Sequence, residues 1–210
     1  METNYVASKS VLIRIDREEL KNKIFQGIIY LDRDGVIIED YGYVGDQKNV
    51  KLITGAEKFI RCARSNRYLI AIITNQSGVG RGYYTWTNYI EVTDKMNSLL
   101  GEQARPHIII ASGVKPRSGC EGEKFRKPNT GMIKYIRSVI QKQESDFEML
   151  IGDKLSDIQC GLNANIKVNA HVLTGHGSDE RNSVVQEQSR GNDREILLAN
   201  DLSDLMQYVS

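Results

Sequence analysis

Two aspartates, Asp32 and Asp34, directly follow the apolar run GIIYL at 27–31. Neighbouring carboxylates can hold Mg²⁺ through their oxygens, or one can act as a nucleophile while the other transfers protons. Gly35 allows the chain to turn there and lets the backbone approach a ligand closely. Such a pair also occurs in solvated turns and in the metal-binding DxD motif of sugar-nucleotide transferases, so the pair alone leaves these alternatives open.

The segment TNQSGVGRG at 74–82 follows another apolar run. Thr74, Asn75, Gln76 and Ser77 supply hydroxyls and amides, and the glycines leave backbone N–H groups accessible to a phosphoryl group. The segment is not a Walker A loop, because no Gly-Lys-Ser/Thr follows. Taken alone, it is equally compatible with a polar turn.

Two further polar segments complete the set. RKPNTGM at 126–132 places Arg126 and Lys127 before a helix, whose N-terminus would also stabilise an anion. IGDKLSD at 151–157 ends a strand with Asp153 and leads into another helix. A surface basic pair and a helix cap are the ordinary alternatives. All four segments nevertheless lie at strand ends or helix starts, and their joint occurrence indicates one site.

Short apolar runs and amphipathic segments alternate along the chain and would position these residues. Strands are predicted at 27–31, 68–74, 107–111, 147–152, 171–174 and 196–200. Helices are predicted between them, at 55–66, 85–100, 130–142 and 156–164. This alternation predicts an α/β fold with a parallel sheet and helices on both sides. Ligands bind such sheets beyond the carboxyl ends of the strands, where the four polar segments lie.

Two regions lie outside this pattern. Residues 1–26 are expected to form an N-terminal extension packed on a domain of residues 27–210. Within the extension, the alternation at 11–15 is typical of an edge strand, and 17–24 resembles a short helix. The polar segment 175–195 is predicted to be a long surface loop.

The composition argues against several classes of protein. A chain of 210 residues with 40% hydrophobic and 26% charged residues is typical of a globular protein. Its 28 Lys and Arg and 27 Asp and Glu residues give a net charge of +1, which does not indicate nucleic-acid binding. The three cysteines are far apart, and neither a signal peptide nor a membrane span is evident. We therefore expect a cytoplasmic protein that binds neither nucleic acid nor membrane.

The motifs LDRDGVI, TNQSG, RKP and GDKLSD together resemble those of the haloacid dehalogenase-type phosphatases. The order DRDG, DxGYV, TNQSGxxRG, RKPxxGM and GDKxxD is most similar to their histidinol-phosphatase-like branch, over about residues 27–175. The resemblance implies a Rossmann-like three-layer sandwich with a mainly parallel central sheet and no large cap domain.

Within this branch, the pattern is most similar to phosphatases that remove the 7-phosphate of D-glycero-D-manno-heptose 1,7-bisphosphate. Those enzymes supply precursors of bacterial surface glycans, so the resemblance implies a small sugar phosphate as the substrate. Histidinol phosphate or another small metabolite is the alternative. A nucleic-acid 3′-phosphatase and a non-catalytic binding protein are weaker alternatives.

The resemblance also implies roles for individual residues. Asp32 would attack phosphorus to form an aspartyl-phosphate, and Asp34 would protonate the departing sugar oxygen and then activate water. Thr74 and Lys127 would stabilise the transferring phosphoryl group. Mg²⁺ would be held by Asp32, the backbone carbonyl of Asp34 and Asp153. The implied substrate-binding residues are Arg33, Asp40, Tyr41, Gly42, Tyr43, Thr74, Asn75, Gln76, Ser77, Arg126, Lys127 and Lys154.

One departure from the family pattern lies before RKP, where many members carry a zinc loop with a C-x-H pair and a C-x-C pair. Here the stretch SGVKPRSGCEGEKFRKP retains Cys120 and has no histidine, so no structural zinc is expected. Lys115, Arg117 and Lys124 offer a second phosphate contact there, against the favoured alternative of solvated loop charges. Asp157 is expected to orient neighbouring groups.

Three aromatic residues, Tyr83, Tyr84 and Trp86, follow the phosphate loop. Stacking on a sugar is one possible role for them, but packing of the following helix is the expected one. A monomer is expected.

Overall fold

The computed structural model describes residues 5–7, 10–21, 23–140, 147–190 and 194–210. Eight strands form a single sheet. They are β1 (Tyr5–Ala7), β2 (Val11–Ile15), β3 (Gly27–Leu31), β4 (Tyr68–Asn75), β5 (Ile108–Ser112), β6 (Phe147–Gly152), β7 (Val168–His171) and β8 (Glu195–Leu198). Their order in the sheet is β1-β2-β5-β4-β3-β6-β7-β8. Strands β3 to β8 pair in parallel, and the two N-terminal strands are antiparallel.

Seven α-helices accompany the sheet within the described residues. They are α1 (Arg17–Leu20), α2 (Ala56–Ser65), α3 (Ser77–Arg81), α4 (Trp86–Leu100), α5 (Gly131–Ile140), α6 (Leu155–Asn163) and α7 (Gly177–Gln188). The predicted helices at 55–66, 85–100, 130–142 and 156–164 are confirmed as α2, α4, α5 and α6, except that residues 141 and 142 lie outside the described residues. Thr85 caps α4 as its sequence suggests, because its hydroxyl accepts from the backbone N–H of Asn88.

Both faces of the sheet are buried, and β4 shows how. Ile70 and Ile72 belong to the core that includes α2 and α4, whereas Leu69 and Ile73 belong to the core that includes α5 and α6. Alternate side chains therefore enter opposite cores, which explains why every residue of β4 from Leu69 to Ile73 is apolar. The predicted three-layer α/β sandwich is confirmed.

The N-terminal segment adds two strands to this sheet. β2 pairs antiparallel with β5, and β1 pairs with the free side of β2. The outermost strand is therefore β1, and the prediction of an edge strand at 11–15 was wrong in that respect. At the start of β2, the Ser10 carbonyl accepts a hydrogen bond of 2.8 Å from Gly113 N, so the segment meets the loop that follows β5.

Two other predictions were wrong. The strand predicted at 171–174 lies earlier, at Val168–His171, because Val168 is the residue in register with Met149 of β6. The loop predicted at 175–195 contains α7, and residues 191–193 lie outside the described residues. Only Gly177 and Val184 of α7 are buried, so its sequence carries no apolar stripe that would reveal a helix.

In the described ranges, no helix is long and apolar enough to cross a membrane. The longest is α4, with 15 residues.

Candidate active site

The loops after β3, β4 and β6 meet around a cavity of about 380 Å³. Most of the predicted site residues line it: Asp32, Asp34, Asp40, Gly42, Tyr43, Asn75, Gln76, Ser77, Arg126, Lys127 and Lys154. Val44, Ser156 and His176 also line the cavity, although their sequence context did not predict a place in the site. Polar segments distant in sequence therefore converge at the carboxyl edge of the sheet.

Lys127 joins two carboxylates at the base of this cavity. Its Nζ lies 3.0 Å from Asp32 Oδ1 and 2.7 Å from Asp157 Oδ1, and all three side chains are almost completely buried. Although burial disfavours the charged form of each group, the two carboxylates raise the pKa of Lys127. Lys127 and Lys154 in turn hold the pKa of Asp32 below its usual value of 3.8. Asp32 is therefore a carboxylate at neutral pH, as a nucleophile requires.

Asn75 fixes the backbone at Lys127. Its amide donates to the Lys127 carbonyl at 3.1 Å, and its side-chain oxygen accepts from Lys127 N at 3.0 Å. Lys127 Nζ also donates to the Ile73 carbonyl of β4 at 2.8 Å. The end of β4 thereby determines where the ammonium group lies, although the two segments are about fifty residues apart.

The Asp34 carboxylate is held by Arg33 of its own loop and by Gln76 of the loop after β4. Gln76 Nε2 donates to Asp34 Oδ2 at 2.5 Å and to Thr74 Oγ1 at 2.9 Å. Gln76 Oε1 accepts from the Tyr84 hydroxyl at 2.5 Å. Burial raises the pKa of Asp34, and Arg33 opposes that rise. A carboxyl group with a raised pKa is suited to both giving and accepting a proton.

Arg33, predicted as a substrate-binding residue, does not line the cavity, and its side chain is not exposed to it. It is fully buried, with its guanidinium carbon 4.7 Å from the centre of the Tyr89 ring. Its Nε donates to Asp34 Oδ1 at 3.0 Å. The Arg33 guanidinium therefore contacts the Asp34 carboxylate and does not enter the cavity.

Two other predicted substrate-binding residues, Thr74 and Tyr41, do not line the active-site cavity. Thr74 is 1% exposed and does not line the cavity, because its hydroxyl lies beneath the Gln76 amide. Tyr41 lines a neighbouring cavity instead.

Asp153 is completely buried, and one of its carboxylate oxygens lies within 4.8 Å of an Asp32 oxygen. Its Oδ2 accepts from His176 N at 2.8 Å. A Cβ on Gly35, whose φ is +83°, would lie 2.3 Å from the same oxygen, so glycine is required there. Burial, together with the nearby Asp32 carboxylate, raises the pKa of Asp153 to about 8.

Three carboxylates can hold a metal ion. Asp32, Asp153 and Asp157 each place an oxygen within 4.8 Å of the others, and no other group of three or more such ligands occurs among the described residues. Asp153 Oδ1 is buried and has no hydrogen-bond partner among the described residues. A buried carboxylate oxygen without a partner is suited to binding a cation. The carboxylate of Asp34 is not in this cluster. Oxygen ligands favour a hard cation such as Mg²⁺.

Asp40 and Lys154 close one side of the cavity. Lys154 Nζ lies 3.3 Å from Asp40 Oδ2, and His176 Nε2 lies 3.2 Å from the same oxygen. His176 was missed because it lies in the segment predicted to be a loop, with no motif around it.

Arg126 lies at the rim, where its Nη1 donates to the Val114 carbonyl at 2.9 Å. Burial and the neighbouring Arg81 lower its pKa. Lys115, Arg117 and Lys124 are exposed and do not line the cavity.

The three aromatic residues after the phosphate loop have different environments. Trp86 and Tyr84 pack against the protein, as expected, and Trp86 lies edge-to-face with Tyr89 at 5.6 Å. Tyr83 is 61% exposed, so the prediction that it packs a helix was wrong.

Residues 27–179 match the family model described as polynucleotide kinase 3 phosphatase. The chain is similar to D-glycero-beta-D-manno-heptose-1,7-bisphosphate 7-phosphatase of Haemophilus influenzae, with 33% identity over 156 residues, 70% of this chain and 82% of that protein. It is 38% identical to D-glycero-alpha-D-manno-heptose-1,7-bisphosphate 7-phosphatase of Campylobacter jejuni over 142 residues, 66% of this chain and 77% of that protein.

A solved structure has a fold similar to that of this chain. The D,D-heptose 1.7-bisphosphate phosphatase of B. bronchiseptica, crystallised with magnesium and phosphate, superposes with a TM-score of 0.73. It is 25% identical, and the superposition covers 87% of this chain and 97% of that one.

Proposed function

Because this chain belongs to the polynucleotide kinase 3 phosphatase family of haloacid dehalogenase-like phosphatases, and is a phosphoric monoester hydrolase, we propose that its substrate is a D-glycero-D-manno-heptose 1,7-bisphosphate. The 7-phosphate would be removed. The relatives that carry this name match 70% and 66% of this chain. The product would be a precursor of bacterial surface glycans, formed in the cytoplasm.

The observation that carries the mechanism is the position of Asp32 beside Lys127. An Asp32 oxygen would attack phosphorus in line with the sugar oxygen, so that a P–O bond to Asp32 forms while the P–O bond to the sugar breaks. Lys127 Nζ, 3.0 Å from Asp32, would neutralise charge on the phosphoryl oxygens. Lys154 at the cavity wall would add a second positive charge.

Asp34 would move the proton in both steps. Its carboxyl group would protonate the departing sugar oxygen, and the resulting carboxylate would then take a proton from the water that attacks the aspartyl-phosphate. Inorganic phosphate would leave and Asp32 would be restored. Both steps need Asp34 at the cavity, and the hydrogen bond from Gln76 supports that position.

Asp32 and Asp153 would hold Mg²⁺, with Asp157 beside them and the Asp34 carbonyl as a further ligand. The donor set fits the ion because all the side-chain ligands are carboxylates and Asp153 Oδ1 has no hydrogen-bond partner among the described residues. The bound ion would supply positive charge to the phosphoryl oxygens.

A second candidate substrate is a nucleic-acid 3′-phosphate, because the description of the matching family model names a polynucleotide phosphatase. The net charge of +1 argues against it, since phosphate backbones are bound by strongly basic surfaces. Histidinol phosphate is a third possible substrate.

The test is phosphate release from both anomers of the heptose 1,7-bisphosphate, histidinol phosphate and a 3′-phosphorylated oligonucleotide, with Mg²⁺ and with EDTA. We expect Mg²⁺-dependent release from a heptose anomer, and a loss of about 10⁴-fold or more in Asp32→Asn. Asp179→Asn, an exposed carboxylate outside the cavity, is the matched control. An active Asp32→Asn protein would exclude the aspartyl-phosphate, and preference for another compound would replace the substrate.

A further inference from the structure

A second cavity, of about 390 Å³, lies beside the active-site cavity. Gly42, Tyr43, Val44 and Tyr84 line both cavities, so the two are contiguous. Tyr41 and Tyr83 line the second cavity from its outer side. We call this second cavity the tyrosine pocket, after Tyr41, Tyr43, Tyr83 and Tyr84.

Among the residues whose burial the structure describes, the most exposed aromatic side chains line the tyrosine pocket. Tyr41, Tyr43 and Tyr83 are 60%, 52% and 61% exposed. They are three of the seven large hydrophobic side chains that are exposed in the described part of the chain. A local cluster of exposed rings at the mouth of a catalytic cavity indicates a binding surface rather than scattered surface residues.

The rings are fixed in place. Tyr43 and Tyr83 pack edge-to-face, with their centres 4.6 Å apart. Tyr43 has a φ of +33°, a conformation that non-glycine residues rarely adopt and that surrounding contacts must maintain. A Cβ on Gly78 would lie 2.8 Å from the Tyr43 ring and 2.3 Å from the Tyr84 ring, so both rings rest on the start of α3.

The charge of the lining distinguishes the two cavities. Lys127, Lys154 and Arg126 line the active-site cavity, whereas the tyrosine pocket is lined by no lysine or arginine among the described residues. Lys51 Nζ lies 5.9 Å from the centre of the Tyr41 ring but is not part of the lining. The polar residues of the pocket are Asp46, Asn49 and Asn88. Aromatic faces with carboxylate and amide groups suit an uncharged ring that carries C–H bonds and hydroxyls, and they do not suit a second phosphate.

We propose that the tyrosine pocket binds the ring of the leaving sugar, with the 1-phosphate directed out of the pocket, while the 7-phosphate lies at Asp32, and that Tyr83 determines this specificity. The inference rests on the proposed sugar-phosphate substrate. A ring held on Tyr43 and Tyr83 orients the departing oxygen toward Asp34 without touching the reacting atoms. An acyclic phosphomonoester lacks that contact and gains nothing from Tyr83.

The experiment compares kcat/KM for the heptose 1,7-bisphosphate, glucose 6-phosphate, glycerol 3-phosphate and a 3′-phosphorylated oligonucleotide in wild type, Tyr83→Ala and Tyr83→Phe. For Tyr83→Ala we expect a fall of about 3- to 12-fold on the cyclic sugar phosphates, the size of one aromatic contact, and a change below about 2-fold on glycerol 3-phosphate. Tyr83→Phe keeps the ring and should stay close to wild type. Because Tyr83 is exposed, the variants should fold, and Leu99→Ala, an exposed apolar residue of α4, is the control.

The outcomes separate this inference from the proposed substrate. If another sugar phosphate replaces the heptose bisphosphate but still depends on Tyr83, the proposed substrate is wrong and the tyrosine pocket is supported. If the heptose bisphosphate is hydrolysed and Tyr83→Ala affects cyclic and acyclic substrates equally, the pocket is overturned and the substrate stands. Dependence on Tyr83 for the oligonucleotide alone would assign the pocket to a base and overturn the inference.

Discussion

The Arg33 guanidinium and the Asp34 carboxylate face each other beneath the active-site cavity. Arg33 Nη2 lies 2.8 Å from Asp34 Oδ1, and Arg33 Nε donates to the same oxygen at 3.0 Å. Arg33 Nη2 also donates to Asp34 Oδ2 at 3.1 Å, so the contact involves both carboxylate oxygens. A planar fork of this kind fixes the plane of a carboxylate as well as its position. Arg33 therefore positions the proposed proton donor without touching substrate.

Replacing Arg33 by lysine should lower kcat by about 10- to 100-fold with little change in KM, because the charge is kept while the fork is lost. KM should hold because Arg33 does not line the cavity. In Arg33→Met the positive charge that opposes the raised pKa of Asp34 is also gone, so that pKa should rise further. Since Asp34 must be protonated in the first step, the alkaline loss of kcat/KM should then move to higher pH.

The measurements are pH–rate profiles of wild type and both variants, with thermal unfolding to confirm that each is folded. A change in KM alone would contradict the assignment, because it would mean that Arg33 binds substrate.

The Tyr84 hydroxyl should contribute to kcat through Gln76. Tyr84→Phe removes the donor to Gln76 Oε1, so the amide that contacts Asp34 becomes less well fixed. The loss of one hydrogen bond predicts a fall in kcat of about 2- to 10-fold with unchanged KM. Tyr30→Phe is the matched control, because its hydroxyl donates to Glu148 at 2.8 Å in the buried core and faces no part of the cavity. It should alter stability but not kcat, and equal kinetic effects of the two variants would exclude the role of Tyr84.

The sequence was informative where a residue's position depends on its own strand. Asp32 directly follows β3, and Lys127 contacts the end of β4. The motifs that contain these two residues were therefore enough to predict that they lie in one site. Arg33 was not predictable in this way, because its partner Tyr89 lies on a helix more than fifty residues later. His176 and α7 were missed for another reason. The helix buries so little apolar surface that its sequence has the composition of a loop.

Lys127 should be as important for folding as for catalysis. Lys127→Ala leaves the Asp32 and Asp157 carboxylates buried without their cation, which should lower the free energy of unfolding by about 3–5 kcal/mol at pH 7. Without Lys127 the pKa values of both carboxyls rise in the folded state, so the variant should lose stability as pH rises and recover part of it near pH 5. Urea unfolding in EDTA at both pH values measures this.

A second variant separates the two roles of Lys127. In Lys127→Met, the Asp32 and Asp157 carboxylates are buried without a cation. Adding Asp157→Asn removes one of these two charges, so part of the lost free energy of unfolding should return. Phosphate release should stay absent. If the double variant were as unstable as the Lys127→Met single variant, the charge balance would not be the cause.

Mg²⁺ should stabilise the protein more at high pH than at low pH. Burial and the Asp32 carboxylate raise the pKa of Asp153 from 3.8 to about 8. Between these values the folded protein keeps a proton that the unfolded chain has released, so without metal this group's contribution to stability falls as pH rises from about 4 to 8. Mg²⁺ requires the carboxylate and must displace that proton, so its apparent affinity should rise by up to about tenfold per pH unit across this window.

Thermal unfolding at pH 5.5, 7 and 8.5, with Mg²⁺ and with EDTA, measures the effect, and we expect the largest increase in Tm at pH 8.5. Asp153→Asn is the control, because its neutral side chain still accepts from His176 N but cannot titrate or ligate as a carboxylate. That variant should show a flatter dependence of Tm on pH in EDTA and little response to Mg²⁺. An increase in Tm of the same size at pH 5.5 and 8.5 in wild type would mean that Mg²⁺ binding displaces no proton, and Asp153 would then not be a ligand in the form proposed.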